Sequence, residues 1–112
     1  MLITELRKNT EVLEMLFDSY GLNVTSFGYE ISGSPFYWIT AFVEIMSKGE
    51  INLSGEYDIK INMYDEEGNI LCSENGRING DEFKGFETVT IYIQTENIAI
   101  EAKKARIFIT KY

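Results

Sequence analysis

Apolar and polar residues alternate through most of this chain, and this period of two restricts its fold more than any other feature. Residues 57–64 read YDIKINMY, with an apolar side chain at every second position, and residues 88–93 and 105–110 follow the same rule. Such alternation is typical of strands with one buried and one solvated face. The aligned apolar positions predict one shared core that contains Ile59, Ile61, Val89, Ile91, Ile107 and Ile109.

Further strands are predicted from segments rich in β-branched and aromatic residues, namely 24–31, 36–46, 51–53, 70–73 and 98–100. Turn residues separate the strands at intervals of roughly 8 to 12 residues, and no helical segment lies between them. A parallel α/β sheet is therefore disfavoured. The pattern predicts a mainly β protein, an antiparallel β-sandwich of six or seven strands with a short N-terminal α-helix.

The N-terminal helix is predicted from residues 9–20, NTEVLEMLFDSY, whose apolar side chains recur every three or four residues. Asn9 or Thr10 can cap its first turn, and Gly21 is a suitable C-terminal stop. Nothing in the composition marks a second domain. We therefore predict one domain over 1–112, with a helical segment at 1–21 and the sandwich at 22–112.

The formal charge of −8 at pH 7 excludes some classes of partner. An acidic chain repels phosphate backbones, so we expect no nucleic acid partner. No apolar run approaches the roughly 18 residues of a membrane span. The N-terminal residues lack the apolar region of a signal peptide, so we expect a cytoplasmic protein, or a secreted or cell-surface one if a leader has been removed.

The residue inventory also argues against catalysis. The chain has no histidine, which removes the commonest general base and the commonest transition-metal ligand. Cys72, the one cysteine, lies in a predicted strand and is expected to be a buried, unreactive thiol. The basic cluster Lys103, Lys104 and Arg106 is interpreted as ion-pair partners for the many acids. We expect no enzyme and no cofactor.

Residues 62–71, NMYDEEGNIL, place three consecutive acids and a glycine between two apolar runs. A calcium loop needs ligands at alternating positions, whereas the side chains of three adjacent acids diverge. Asp65, Gly68 and Asn69 are instead typical turn residues. We predict a metal-free turn of four residues that joins strand 57–64 to strand 70–73, followed by a polar loop at 74–85.

The stretch IKINMYDEEGNIL, residues 59–71, resembles the signature of FxLYD-type domains, small immunoglobulin-like sandwiches common in bacteria. In that family a strand ends in an aromatic-x-Leu-Tyr-Asp run and turns at a glycine into an aliphatic strand. The corresponding positions here are Ile61, Met63, Tyr64 and Asp65, followed by Gly68 and Ile70-Leu71. Ile61 replaces the aromatic residue and Met63 the leucine. The resemblance implies an immunoglobulin-like fold and a binding or structural role, with no catalytic residues.

Residues 36–46, FYWITAFVEIM, are apolar on both faces, although a sandwich strand should have one wet face. Aromatic residues also occupy the polar phase of three other strands. These side chains form the predicted interaction face: Trp38, Phe42, Met46, Tyr64, Tyr92 and Phe108. Helix 9–20, a protein partner, a second copy of the chain or a stacked sugar could cover it.

From these observations the sequence predicts a non-enzymatic binding or assembly module that acts through protein contacts. The alternative is a carbohydrate-binding module that uses the exposed aromatic residues. We expect a protein partner or homo-oligomer rather than a small-molecule ligand.

Overall fold

The computed structural model describes residues 2–32, 38–50, 53–93 and 101–112. Within these ranges the chain is mainly β, with seven strands in two sheets and two short helices near the N-terminus, which confirms the predicted sandwich. The elements in chain order are α1 (Leu2–Lys8), β1 (Thr10–Val12), α2 (Glu14–Asp18), β2 (Leu22–Ser32), β3 (Trp38–Ser47), β4 (Glu56–Tyr64), β5 (Ile70–Asn79), β6 (Phe86–Ile93) and β7 (Lys104–Lys111).

The strand order is β1-β7-β4-β5 in the four-stranded sheet and β2-β3-β6 in the three-stranded sheet. Two hairpins, β2–β3 and β4–β5, each lie within one sheet. The chain crosses to the other sheet between β3 and β4, between β5 and β6, and between β6 and β7. All pairs are antiparallel except the short parallel pairing of β1 with β7. The inner faces of the two sheets meet in one core, as expected when each sheet has one apolar face.

The core prediction is confirmed, because the six predicted Ile and Val side chains are all 3% exposed or less. The same cluster also receives Leu6 from α1 and Phe17 from α2, so the helices contribute to the core. On β5, a Cβ atom at Gly76 would lie 2.5 Å from a methyl carbon of Val89. The sheets therefore approach so closely at this point that a glycine is required.

The predicted helix over 9–20 is confirmed only over Glu14–Asp18, which is α2. Thr10–Val12 instead forms β1, which pairs with Ala105–Ile107, and helices lie on either side of it. The free edge of β7 offers backbone hydrogen-bond partners to this segment, and β-branched Thr10 and Val12 suit a strand. The amide of Leu13 continues this pairing by donating to the carbonyl oxygen of Ile107 at 2.9 Å.

A short hydroxyl chain ties the N-terminal segment to the three-stranded sheet. The hydroxyl of Thr10 donates to the carbonyl oxygen of Leu6 at 2.6 Å and lies 2.8 Å from the hydroxyl of Tyr29. Because the Thr10 proton is already used, the Tyr29 hydroxyl is the donor in the second bond. Burial raises the pKa of Tyr29 to about 12, so this hydroxyl stays protonated.

Two strand boundaries also differ from the prediction. Residues 74–79, predicted to be part of a polar loop, belong to β5 and pair with residues 56–61 of β4. Its outward polar side chains are accommodated because Asn75 and Arg77 both donate to Asp58 across the ladder. Strand β3 begins at Trp38 among the described residues. The predicted extended pieces at 51–53 and 98–100 lie outside them, apart from Leu53, which belongs to no strand.

Candidate functional site

The six residues predicted to form one interaction face lie on opposite sides of the sandwich, which corrects that prediction. Trp38, Phe42, Met46 and Tyr92 project from the outer face of β2-β3-β6. Tyr64 on β4 and Phe108 on β7 belong to the other sheet. A sandwich has two outer faces, and the alternation of a strand shows which residues point outward but not which sheet holds the strand.

The outer face of the three-stranded sheet carries the largest set of exposed apolar side chains among the described residues. The exposed fractions are 38% for Trp38, 42% for Met46, 49% for Phe86 and 62% for Tyr92, and Phe42 in the middle is half-buried. We name Trp38, Phe42, Met46, Phe86 and Tyr92 the aromatic face.

The strand register explains how these side chains are arranged. Phe86 lies directly opposite Met46, and Tyr92 lies opposite Thr40, so apolar groups sit near both ends of β3 with Phe42 between them. Phe86 was missed in the sequence because the predicted strand began only at residue 88. Gly28 is opposite Phe42 on β2, and a Cβ there would meet nothing within 4 Å. Open space therefore remains on the β2 side of Phe42.

Of the alternatives for the cover of Trp38 and Phe42, the N-terminal helix is excluded. Both helices contact β2 and β7. Phe17 and Leu6 enter the core between the sheets and are 1% exposed or less. The helices thus close one side of the sandwich, because their apolar side chains complete the core rather than lie over an outer face. The aromatic face remains exposed.

Glu44 lies within the aromatic face, between Phe42 and Met46 on β3, and is half-buried. The register between β2 and β3 shifts between Val24 and Ser26, which marks a bulge at Thr25. The hydroxyl of Thr25 donates to Oε1 of Glu44 at 2.8 Å. The bulge therefore holds this carboxylate in a defined position on the sheet.

The two outer faces differ in charge. Glu30 and Glu44 lie on the outer face of β2-β3-β6, whereas Glu87 lies opposite the buried Ile45 in the inward phase, and the three strands contain not one Lys or Arg. On the four-stranded sheet Nε of Arg77 donates to Oδ1 of Asp58 at 3.1 Å, and that hydrogen bond is the main cause that raises the pKa of Arg77. The four-stranded sheet thus has cations paired with its own acids, whereas the three strands beneath the aromatic face supply none.

Further ion pairs on the four-stranded side confirm the interpretation of two residues of the basic cluster. Nε of Arg106 donates to Glu11 at 3.0 Å, and Nζ of Lys103 lies 3.8 Å from Oε2 of Glu5. The guanidinium of Arg106 also lies 5.4 Å from the ring centroid of Tyr64. These surface contacts fix side-chain positions and contribute little stability.

A shallow cleft of about 280 Å³ lies at one end of the four-stranded sheet. It is lined by Asn9, Glu11, Tyr64, Gly68, Lys104, Ala105 and Arg106. Its charged groups are of both signs, and Arg106 is already bound to Glu11. The lining therefore favours no one class of ligand.

The acidic stretch forms the predicted turn, although the connection has five residues, 65–69, rather than four. The carboxylate of Asp65 accepts hydrogen bonds from the amides of Glu67 and Asn69 and from the side chain of Asn69, at 2.8–3.1 Å. The bonds from Asn69 are the largest cause that lowers the pKa of Asp65. Gly68 has φ +88°, which a glycine adopts without strain. The turn itself thus uses this carboxylate.

The described residues show no cluster of three or more His, Cys, Asp or Glu side chains that could hold a metal ion. Cys72 is half-buried and packs against the core. Burial, with a smaller effect of the negative charge of Glu74, raises the pKa of Cys72 to about 11. The thiol is therefore almost fully protonated at neutral pH and is a poor nucleophile.

Comparisons of the sequence with protein-family models, with curated proteins and with solved structures gave no significant match. Of the helices in the described part of the chain, none has the length and apolar character to cross a membrane.

Proposed function

We propose that this chain is a non-enzymatic binding or assembly module that acts through protein–protein contacts, with the aromatic face as its contact surface. The observation that carries the proposal is the exposure of Trp38, Met46, Phe86 and Tyr92 together on one outer face, between 38% and 62% each. Exposed large apolar side chains grouped on one face are typical of interaction sites. Aromatic residues and Met are also enriched where protein interfaces are buried.

The physical argument is the free energy left unused in the isolated chain. A large aromatic side chain buries roughly 150–250 Å² when fully covered, and a partner would bury the part that is still exposed, 38–62% for Trp38, Phe86 and Tyr92, at about 25 cal/mol per Å². Phe42 is flanked on β2 by Gly28, which leaves room for a partner side chain beside the ring. Aromatic residues in well-packed interface centres are the usual binding hot spots. A partner that covers this face would therefore gain several kcal/mol before its ordering costs.

We also propose that the domain belongs to the immunoglobulin-like class, and that the resemblance to FxLYD-type domains reflects this. The strand order supports the class. If β2 to β7 are equated with immunoglobulin strands A, B, C, C′, E and F, the sheets become A-B-E and C′-C-F. Strand β1 then lies beside F, where strand G pairs in an immunoglobulin domain, although it runs parallel to its neighbour.

The proposal of a non-enzymatic role rests on the chemistry of the side chains that could react. The chain has no histidine. The thiol of Cys72 has a raised pKa, and the carboxylate of Asp65 is engaged by the amides of its own turn. A general base or nucleophile needs the opposite environment, with a pKa close to the operating pH.

The test is co-purification from cells of the source organism with tagged wild-type chain and two matched variants. Phe42 and Phe108 are both half-buried on outer faces, one on each sheet. We expect Phe42→Glu to abolish recovery of a partner identified by mass spectrometry, whereas Phe108→Glu retains it. The purified partner should protect the fluorescence of Trp38, the one tryptophan, from acrylamide quenching. A partner retained equally by both variants would refute the assignment of this face.

The exposed rings of Trp38 and Tyr92 also offer stacking surfaces for a sugar, which is the observation that favours a carbohydrate-binding module as the second candidate. A glycan array separates the two candidates. Binding of a glycan that is lost in Tyr92→Ala and kept in Phe108→Ala would replace the protein-binding proposal.

A further inference from the structure

Glu44 is placed unusually for a charged residue. It is half-buried on the middle strand of its sheet, and its neighbours on the same face of β3 are Phe42 and Met46, each about 7 Å away along the strand. A carboxylate next to large apolar side chains gains nothing from them. In the described part of the chain it takes part in none of the ion pairs.

One oxygen of this carboxylate is held by a hydrogen bond from the neighbouring strand. Thr25 donates to Oε1 at 2.8 Å from a bulge in the neighbouring strand, and the bulge is what brings that hydroxyl to the outer face. The second oxygen, Oε2, is not used by this hydrogen bond. A carboxylate held in this way is prepared to accept a charge-assisted hydrogen bond without further ordering of its own side chain.

We infer that Glu44 binds a Lys or Arg side chain of the protein partner, whose neighbouring apolar residues lie against Phe42 on one side and Met46 and Phe86 on the other. The inference rests on the proposed function, because it names the partner chemistry for the same face. Charge complementarity carries it. Glu30 and Glu44 lie on the outer face, and the three strands beneath it contain no cation, so a partner must supply the positive charge for Glu44.

A second copy of this chain fits the face less well. Face-to-face pairing would place strands without Lys or Arg against identical strands, so Glu44 would meet no cation from them. Two chains of charge −8 also repel each other before contact. A cationic partner is instead attracted at long range, and its guanidinium or ammonium group can additionally lie over an exposed ring of the face.

The test uses the intact chain and a phage-displayed library of random 12-residue peptides without tryptophan. Enriched peptides are synthesised with a fluorescein label and titrated by anisotropy. We expect them to contain Arg or Lys flanked by apolar residues. Glu44→Gln should weaken their binding by about 30-fold or more, the usual scale for loss of one partner of a desolvated charge pair. Glutamine keeps an acceptor for Thr25, so the variant should fold normally.

The matched control is Glu66→Gln, which removes the same charge from the exposed tip of the β4–β5 hairpin. It should change the affinity less than about threefold, since a distant exposed charge is largely screened at physiological salt. Equal losses in the two variants would reduce the effect of Glu44 to net charge and overturn the inference.

Other outcomes separate this inference from the function on which it rests. Peptides that lose binding in Phe42→Ala but lack a cation, or that ignore Glu44→Gln, would overturn the role of Glu44 and leave the binding face intact. Failure of every peptide to bind wild-type better than Phe42→Glu would overturn both. A dimer in light scattering that Phe42→Glu dissociates would make a second copy the occupant, and would also overturn the inference.

Discussion

Replacement of Phe17 by alanine tests the most consequential feature of the fold, the insertion of the N-terminal segment into the core. Phe17 lies on α2 and is 0% exposed, whereas Met15 on the same five-residue helix is 84% exposed. The helix is too short to be stable alone, so its presence depends on the side chains that it buries. Phe17→Ala should therefore destabilise the whole sandwich and not only its N-terminus.

The expected magnitude follows from the burial. A fully buried Phe replaced by Ala typically costs about 3–5 kcal/mol, because transfer free energy is lost and a cavity remains. That is a large share of the roughly 5–15 kcal/mol by which domains of this kind are stable. For 112 residues the entropy of unfolding is about 0.24 kcal/mol/K. The melting temperature should therefore fall by about 13–21 °C.

Urea unfolding followed by circular dichroism measures the free energy directly, with the m-value as a check that both states are otherwise unchanged. Met15→Ala is the matched control and should change stability by less than about 0.5 kcal/mol, since its side chain is exposed. If Phe17→Ala were as stable as Met15→Ala, α2 would not be docked in solution, and the side of the sandwich between β2 and β7 would be open.

Three further predictions concern single residues of the fold. Gly76→Ala should cost about 1–3 kcal/mol in urea unfolding, because its Cβ would overlap Val89, while Gly28→Ala, with open space, should not destabilise. Because the pKa of Asp65 is lowered in the folded chain, its ionised carboxylate stabilises the fold above the unfolded pKa of about 4. The stability advantage of wild-type over Asp65→Asn should therefore shrink as pH falls through the folded-state pKa of Asp65. An advantage independent of pH would contradict this. Cys72, with a pKa of about 11, should react with iodoacetamide at pH 8 at least about 100-fold more slowly in the folded chain than in urea, and equal rates would refute its burial.

The sequence was sufficient for the class of fold and for the six core residues named from the alternation, because those depend on local pattern, whereas Ile78 and Phe83, in the predicted polar loop, were missed. A period of two assigns alternate residues to one buried face whatever the neighbouring strand is, so Ile59, Val89 and Ile107 could be placed inside without knowing the topology. The turn at 65–69 was equally local. Its hydrogen bonds join Asp65 to residues no more than four positions away.

Long-range contacts decided the rest. Thr10–Val12 forms a strand because β7, some 95 residues later, offers an unpaired edge, and no local signal reports that edge. Residues 74–79 join the sheet for a similar reason, since Arg77 finds Asp58 across the ladder. Helix spacing in the first case and polarity in the second gave the wrong element, because pairing energy outweighs weak local preferences.

The candidate site shows the same division. The outward direction of Trp38 and Phe42 follows from alternation within one strand. The separation of Tyr64 and Phe108 from them, the addition of Phe86, and the position of Thr25 beside Glu44 all depend on sheet membership, register and a bulge. Alternation along a strand fixes the face of each side chain, but the neighbours of that side chain are set by hydrogen bonds between strands far apart in sequence, which no single segment encodes.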